Sequence, residues 1–250
     1  MAAKNRYSHR TKQEYIIATH EILKDEGIEN LSIRKIAKRV GCDSAVLYRN
    51  FESLDYLIIL GSISFLEDYV QKLLDIENRE MKSIDRAIDS WYVLSHTAFE
   101  NPPLYYHLLY DCDLNLFEEA IVEYYQLFPV QLIDKKEMYY GFFFKSLFAG
   151  NSYERNFYYF NRAANDNEIA RDDVDFLCIA CSSIAANMLR LHKEDYSKPG
   201  VSEAAARKCD YMLNRIIESC RIDEHEPRPA SFVSYCANTA TWESKCSDIR

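Results

Sequence analysis

The chain has 250 residues, 48% of them hydrophobic and 28% charged, with a formal net charge of −9. That is enough apolar material for one sizeable core or two smaller helical units, and two units are expected. The acidic balance argues against a protein that coats nucleic acid along its whole surface. No basic flank precedes an apolar N-terminal run, and no run of about 18 apolar residues occurs, so a soluble cytoplasmic protein without a membrane span is expected.

Glycine and proline are scarce, six of each, and no Asn-Gly or Asp-Gly turn joins alternating segments, so the fold class is all-α. A first helix is expected from Ser8 to Glu26, with Tyr15, Ile16, Thr19, Ile22 and Leu23 as one inward stripe and Gly27 as a left-handed cap. Ser32 suits the N-cap of a short second helix with Ile33, Ile36, Ala37 and Val40 inward, broken by Gly41. Asp43 caps a two-turn third helix from Ser44 to Asn50, and Ser53 caps a long fourth helix reaching Glu77. Further helices are expected over 83–99, 103–112, 115–127, 134–149, 152–164, 172–193 and 201–222. Asn101-Pro102-Pro103, Pro129 and Lys198-Pro199-Gly200 supply the breaks, and Gly150-Asn151-Ser152 fits either a break or a kink. Residues 223–250 hold Pro227 and Pro229 and no helical stripe, and are read as a loosely ordered tail.

Charge divides unevenly along this plan. Residues 1–53 carry ten Lys and Arg against seven Asp and Glu, a net of +3, whereas the remainder has a net of −12. A small basic head on an acidic body suits local contact with phosphate. A helix that reads DNA needs a rigid support, a tight turn and an outer face free of core duty, and residues 32–51 offer all three. Leu47 and Phe51, four apart, can face the support, leaving Ala45, Val46, Tyr48 and Arg49 outward and Ser44 on the flank. Arg34 and Arg49 can reach phosphate or guanine, and Tyr48 can hydrogen-bond a phosphate. An ordinary three-helix cluster also contains a short helix with mixed outward residues.

The stretch LSIRKIAKRVGCDSAVLYRNFES resembles the helix-turn-helix of the TetR family of bacterial repressors. The likeness lies in Ser32-Ile33-Arg34, Ile36-Ala37, the Gly41 turn, and Leu47-Tyr48 followed by Phe51, with Gly27, Ile28 and Leu31 upstream. It covers about residues 8 to 60 by motif, and the rest by helix count and length only. The resemblance implies that Ser32 and Tyr48 touch phosphate, that Arg34, Ser44, Ala45 and Val46 approach bases, and that Arg49 and Asn50 lie at the groove edge. It also implies a three-helix DNA-binding domain over 1–53, a connecting helix over 54–77, and a helical ligand-binding and dimerisation domain over 78–222. Two positions depart from the pattern: Leu54 stands where the family has a phosphate-pairing lysine, and Thr19 where it has a small alanine. Without that lysine a shallower salt dependence is expected.

Eighteen of the 32 Tyr and Phe residues fall between Leu104 and Phe160. Rings with a few polar groups suit an aromatic, lipophilic or cationic effector, with His96, His107, Tyr139, Tyr140, Phe143 and Tyr158 as candidate contacts; plain aromatic packing accounts for the same pattern. Helices 172–193 and 201–222 carry stripes that suit a homodimer interface. One runs through Phe176, Ile179, Ala180, Ser183, Ala186, Asn187 and Arg190, the other through Ala205, Cys209, Met212, Ile216 and Cys220. Packing within the chain is the alternative.

No catalytic, metal or cofactor residue is assigned. Asp172, Asp173 and Asp175 lack the i, i+4 spacing of a metal-binding aspartate motif and instead complement a helix dipole. Cys178 and Cys181 form a CxxC without a second pair, and buried free thiols are expected for the eight cysteines. The reading is thus a ligand-responsive, homodimeric repressor on a palindromic double-stranded DNA operator. An architectural DNA-binding protein without an effector, or an all-helical enzyme, are the alternatives.

Overall fold

A computed structural model describes residues 2–128 and 152–222. The helix expected over 134–149 and the 223–250 tail lie outside the described residues. Ten α-helices follow one another there: α1 (Ala2–Glu26), α2 (Ile33–Val40), α3 (Ser44–Asn50), α4 (Leu54–Glu77), α5 (Ser83–Ala98), α6 (Pro102–Tyr106), α7 (Leu114–Leu127), α8 (Ser152–Asn165), α9 (Asp173–Leu191) and α10 (Val201–Cys220). A 3-10 turn spans Ile28–Asn30 and a π turn spans His107–Asp111. The described residues hold no strand, and Ile169 and Arg221 form an isolated bridge.

Local chemistry sets most boundaries. The Ser32 hydroxyl accepts from Lys35 N, Asp43 from Ala45 N and Ser53 from Tyr56 N, each at a helix start. α1 begins at Ala2, earlier than the expected Ser8. Gly27 also differs from expectation: its φ of 81° is positive, but ψ is 167°, so it is not a left-handed helical cap. That conformation is open essentially to glycine alone and turns the chain into the 3-10 segment.

α4 lies at the centre. Every residue from Tyr56 to Ile63 is buried, because α1, α5 and α7 all pack on this helix. Such a helix is apolar all round rather than amphipathic. At its crossing with α1, a Cβ on Gly61 would lie 2.6 Å from Thr19 Cγ2 and 2.9 Å from Thr19 Cβ. Thr19 is fully buried and returns its hydroxyl to Tyr15 O at 2.8 Å. The larger residue at position 19 is therefore matched by the absence of a side chain at 61. Beside it His20 Nδ1 meets Ser64 Oγ at 2.7 Å, and its ring lies against Phe65.

The body closes around the other end of α4. Arg86, 3% exposed, donates to Ile76 O and Arg79 O, satisfying carbonyls where α4 ends, with Glu77 beside it and Arg162 on the far side of Glu77. Glu168 caps the start of α5 by accepting from Ile84 N at 2.6 Å. Asn156 on α8 donates to Ser182 Oγ on α9 at 2.6 Å. α9 is long and apolar enough by composition to cross a membrane, with a mean hydropathy of 1.5, but its Val174, Leu177, Ala185 and Leu189 belong to the bundle core. Cys178 and Cys181 are buried on the same face, and burial raises both thiols.

Replacing Gly61 with Ala is expected to cost about 1–3 kcal/mol, read as a lower urea midpoint, because backbone as well as Thr19 must give way. A second expectation concerns pH. His107 Nε2 is buried without a hydrogen bond, and desolvation, with a smaller push from Lys193 against the opposing pull of Asp55 and Asp111, lowers its pKa from 6.5. The unfolded chain takes up this proton at higher pH than the folded one, so the contribution is complete above 6.5 and is lost as pH falls below it. Urea titrations between pH 7.5 and 5 should show wild type losing stability relative to His107→Gln as the pH drops.

Candidate nucleic-acid interface

The N-terminal head is built so that α3 is held from behind and free in front. Tyr15 on α1 meets Phe51 edge to face at 5.8 Å and donates to Cys42 Sγ at 3.1 Å, while Leu47 and Ile36 are buried between them. The turn between α2 and α3 is set by Gly41 at φ 78°, ψ 36°, a left-handed cap whose N–H bonds Ala37 O. No atom lies within 4 Å of a Cβ at this glycine, so backbone conformation alone requires it.

On the outer face Tyr48 is 67% exposed, and Arg34, Ala45 and Arg49 are exposed as well. Ser44 and Val46 are half-buried, and Val46 packs against the core, so it faces outward less fully than its spacing indicates. Asn50 turns its amide back to Val46 O at 2.7 Å. Ser32 is exposed, with its hydroxyl serving the α2 cap. Leu54, at the head of α4, is half-buried on the core and offers no charge.

The head's cations fall into two groups. Lys12 pairs with Glu123 of α7, Lys35 with Glu26, and Arg39 with Glu21 and Asp25, so these three hold the scaffold. Lys24 of α1 and Arg34, Lys38 and Arg49 are exposed, and among the described residues no ion pair engages these four. Lys38 does not stand out in the sequence. Its signal is the i, i+4 spacing from Arg34, which places both on one face of α2.

The head joins the body through Glu123. This carboxylate pairs with Lys12 of α1 and accepts from Tyr56 of α4 at 2.7 Å, and Gln13 donates to Leu127 O nearby. Burial, reinforced by the Glu123 bond, raises the Tyr56 hydroxyl well above its ordinary range.

Within the body a cleft opens among α4, α5, the π turn, α8 and α9. Tyr69, Trp91, Leu94, Tyr110, Arg155 and Tyr159 line it, and its enclosed part is about 40 Å³. The histidines and tyrosine expected to contact a ligand lie elsewhere. His96 stacks on Tyr92 at 4.2 Å, His107 sits in the π turn, and Tyr158 is 38% exposed. Tyr139, Tyr140 and Phe143 lie outside the described residues. The cleft's polar groups come from Arg155, Asn156 and Tyr159 of α8, which helical spacing does not distinguish from surface positions, together with Ser90, Ser182, Tyr69 and Tyr110.

Residues 16–58 match the sequence model described as bacterial regulatory proteins, tetR family. No curated protein sequence matches the chain. Among solved structures, Thermus thermophilus FadR, a TetR-family transcriptional repressor in complex with lauroyl-CoA, is similar at a TM-score of 0.54 and 10% identity, covering 88% of this chain and 99% of that one. A TetR/AcrR-family transcriptional regulator from Thermobifida fusca is similar at a TM-score of 0.50 and 12% identity, covering 82% and 96%. At these identities the structures speak to the fold, and the matched N-terminal segment coincides with the head that carries the exposed α3 and the cations without ion pairs. The segment from residue 16 to 58 is thus similar to the helix-turn-helix of the TetR family of bacterial regulators.

Proposed function

We propose that the protein is a ligand-responsive repressor that binds a palindromic operator as a homodimer. The observation that carries the DNA-binding part to specific residues is the outer face of the head, where Tyr48, Arg34, Lys38 and Arg49 stand exposed on α2 and α3. In this reading α3 enters the major groove. Ala45, Ser44 and Val46 approach bases with Arg34, while Ser32, Tyr48 and Lys38 hold phosphate and Arg49 and Asn50 border the groove. Leu54 supplies no phosphate contact.

For the dimer, α9 supplies the supporting surface. Outside its core face it leaves Ile179 60%, Phe176 45% and Leu191 57% exposed, an apolar stripe broken by the small Ala180 and Ser183. α10 contributes less than its stripe suggests, since Ala205, Cys209 and Cys220 are buried against their own chain and Met212 and Ile216 are packed on it. Its exposed Tyr211 is the apolar group left to a partner. A second copy covering this face places two α3 helices in successive grooves. Ligand in the body then shifts the population between head spacings and releases DNA. The similar Thermus thermophilus repressor is in complex with lauroyl-CoA.

Gel shifts on DNA from the protein's own promoter region test the head. Tyr48→Ala and Arg34→Ala should each weaken binding by about 1–3 kcal/mol, and Lys38→Ala should lower the salt slope by about one, whereas Leu54→Lys should raise it by about one. Wild-type affinity in both Tyr48→Ala and Arg34→Ala sinks the assignment. Sedimentation tests the dimer: Ile179→Asp with Phe176→Asp should give a folded monomer with weakened operator binding, and an unchanged dimer would place the interface elsewhere.

A further inference from the structure

α3 has seven residues, too few for a helix to hold its own shape and direction in water, and one side chain of α1 reaches both of its ends. The Tyr15 hydroxyl donates to Cys42 Sγ at 3.1 Å, one residue before the Asp43 cap, while the Tyr15 ring meets the C-cap residue Phe51 edge to face at 5.8 Å. Tyr15 is 1% exposed, so both contacts are made inside the head. Cys42 is itself held, because its N–H bonds Ala37 O at 3.0 Å, the carbonyl that also accepts from Gly41 N. Its thiol thus sits at the joint where α2 has ended and α3 has not begun. Burial, then the bond to Cys42, pushes the Tyr15 phenol above its ordinary range and keeps it a protonated donor, and Arg49 is near enough for its charge to oppose that rise. The bonded pair therefore lies close beneath the side of α3 that exposes Arg49.

Packing against Phe51 asks only for an aromatic ring, which phenylalanine would supply equally. The hydroxyl adds something else, a directional bond from α1 to the joint. A buried phenol needs a partner, and the Cys42 thiol is a weak acceptor, so the contribution to stability is modest. Its larger consequence is geometric. Contacts to base edges need the reading helix within about 0.5 Å and 10–20° of one arrangement, whereas contacts to phosphate position the protein without reading sequence. A small loss of direction in α3 is therefore felt at the bases first.

We propose that the bond between Tyr15 and Cys42 sets the angle at which α3 is presented to DNA, so that Tyr15 is a positioning residue for operator reading although it touches no base. This rests on the reading that α3 enters the major groove, and it adds a determinant of sequence discrimination that lies behind the exposed face.

The test measures binding of the full chain to two duplexes of equal length, one selected by the wild type from a random library and one of random sequence. Tyr15→Phe, which keeps the ring against Phe51, should bind the selected duplex about three- to tenfold more weakly. It should bind the random duplex as tightly as wild type does, with the same salt slope. Cys42→Ala should show the same split, and Cys42→Ser should keep wild-type discrimination because a hydroxyl also accepts. Tyr15→Phe combined with Cys42→Ala should lose no more than either change alone. A merely structural role would move both duplexes together, through the folded fraction. Equal weakening on the two duplexes, undiminished discrimination in a folded Tyr15→Phe protein, or additive losses in the double variant overturns the proposal, and Cys42→Ala decides the matter if Tyr15→Phe does not fold. The underlying reading fails differently: a wild type that selects no sequence, or full discrimination in both Tyr48→Ala and Arg34→Ala, removes α3 from the groove and the proposal with it.

Discussion

The crossing of α1 and α4 is the contact on which the rest of the molecule depends. At this crossing a missing side chain, Gly61, admits a fully buried Thr19, and no larger residue fits at 61 without moving the backbone of α1. The close approach brings α4 inside the head, where Tyr56, Leu57 and Leu60 are buried, and lets its far half serve as the core of the body through Leu66, Val70 and Leu73. Head and body therefore share one apolar cluster rather than meeting across a wet interface. In the sequence alone Thr19 is a mere packing detail. Paired with Gly61, it is half of a complementary contact.

A second constraint is the partition of charge in the head. Its cations are not interchangeable, because carboxylates at Glu26, Glu21, Asp25 and Glu123 engage Lys35, Arg39 and Lys12. Exposed ion pairs of this kind contribute little to stability. Their consequence is positional: they keep three positive side chains on the scaffold and leave Arg34, Lys38 and Arg49 around the exposed Tyr48.

Much of the head was legible because its signals are local. N-caps at Ser32, Asp43 and Ser53, the Gly41 turn and the stripe of α1 each depend on neighbours within a few residues, and all appear as expected. Gly27 shows the limit, since the need for positive φ was visible but not which of glycine's two accessible regions the chain would use. The body was legible as helices but not as a site. The aromatic surplus between 104 and 160 spreads over several elements, and which rings share a cleft depends on how α4, α5, α8 and α9 cross. Tyr69 and Trp91 lie before that stretch in the sequence yet border the cleft, while Tyr158, next to Tyr159, turns outward. The α10 stripe was ambiguous for the same reason, as self-packing and dimer packing use the same spacing of small residues.

α4 also links the cleft to the head. It carries Tyr69 at the cleft and Tyr56 at the head, about 20 Å apart along the helix axis at a helical rise of 1.5 Å per residue. The helix is buried from Tyr56 to Ile63 and has no proline at which to bend. Its Gly61-Ser62 pair is held in place, the glycine by the α1 contact and the serine by its bond to Ile58 O at 2.6 Å. α4 thus runs from the cleft to the head as one uninterrupted helix. At the other end it meets the Tyr56–Glu123–Lys12 cluster, where α1, α4 and α7 are tied by one carboxylate.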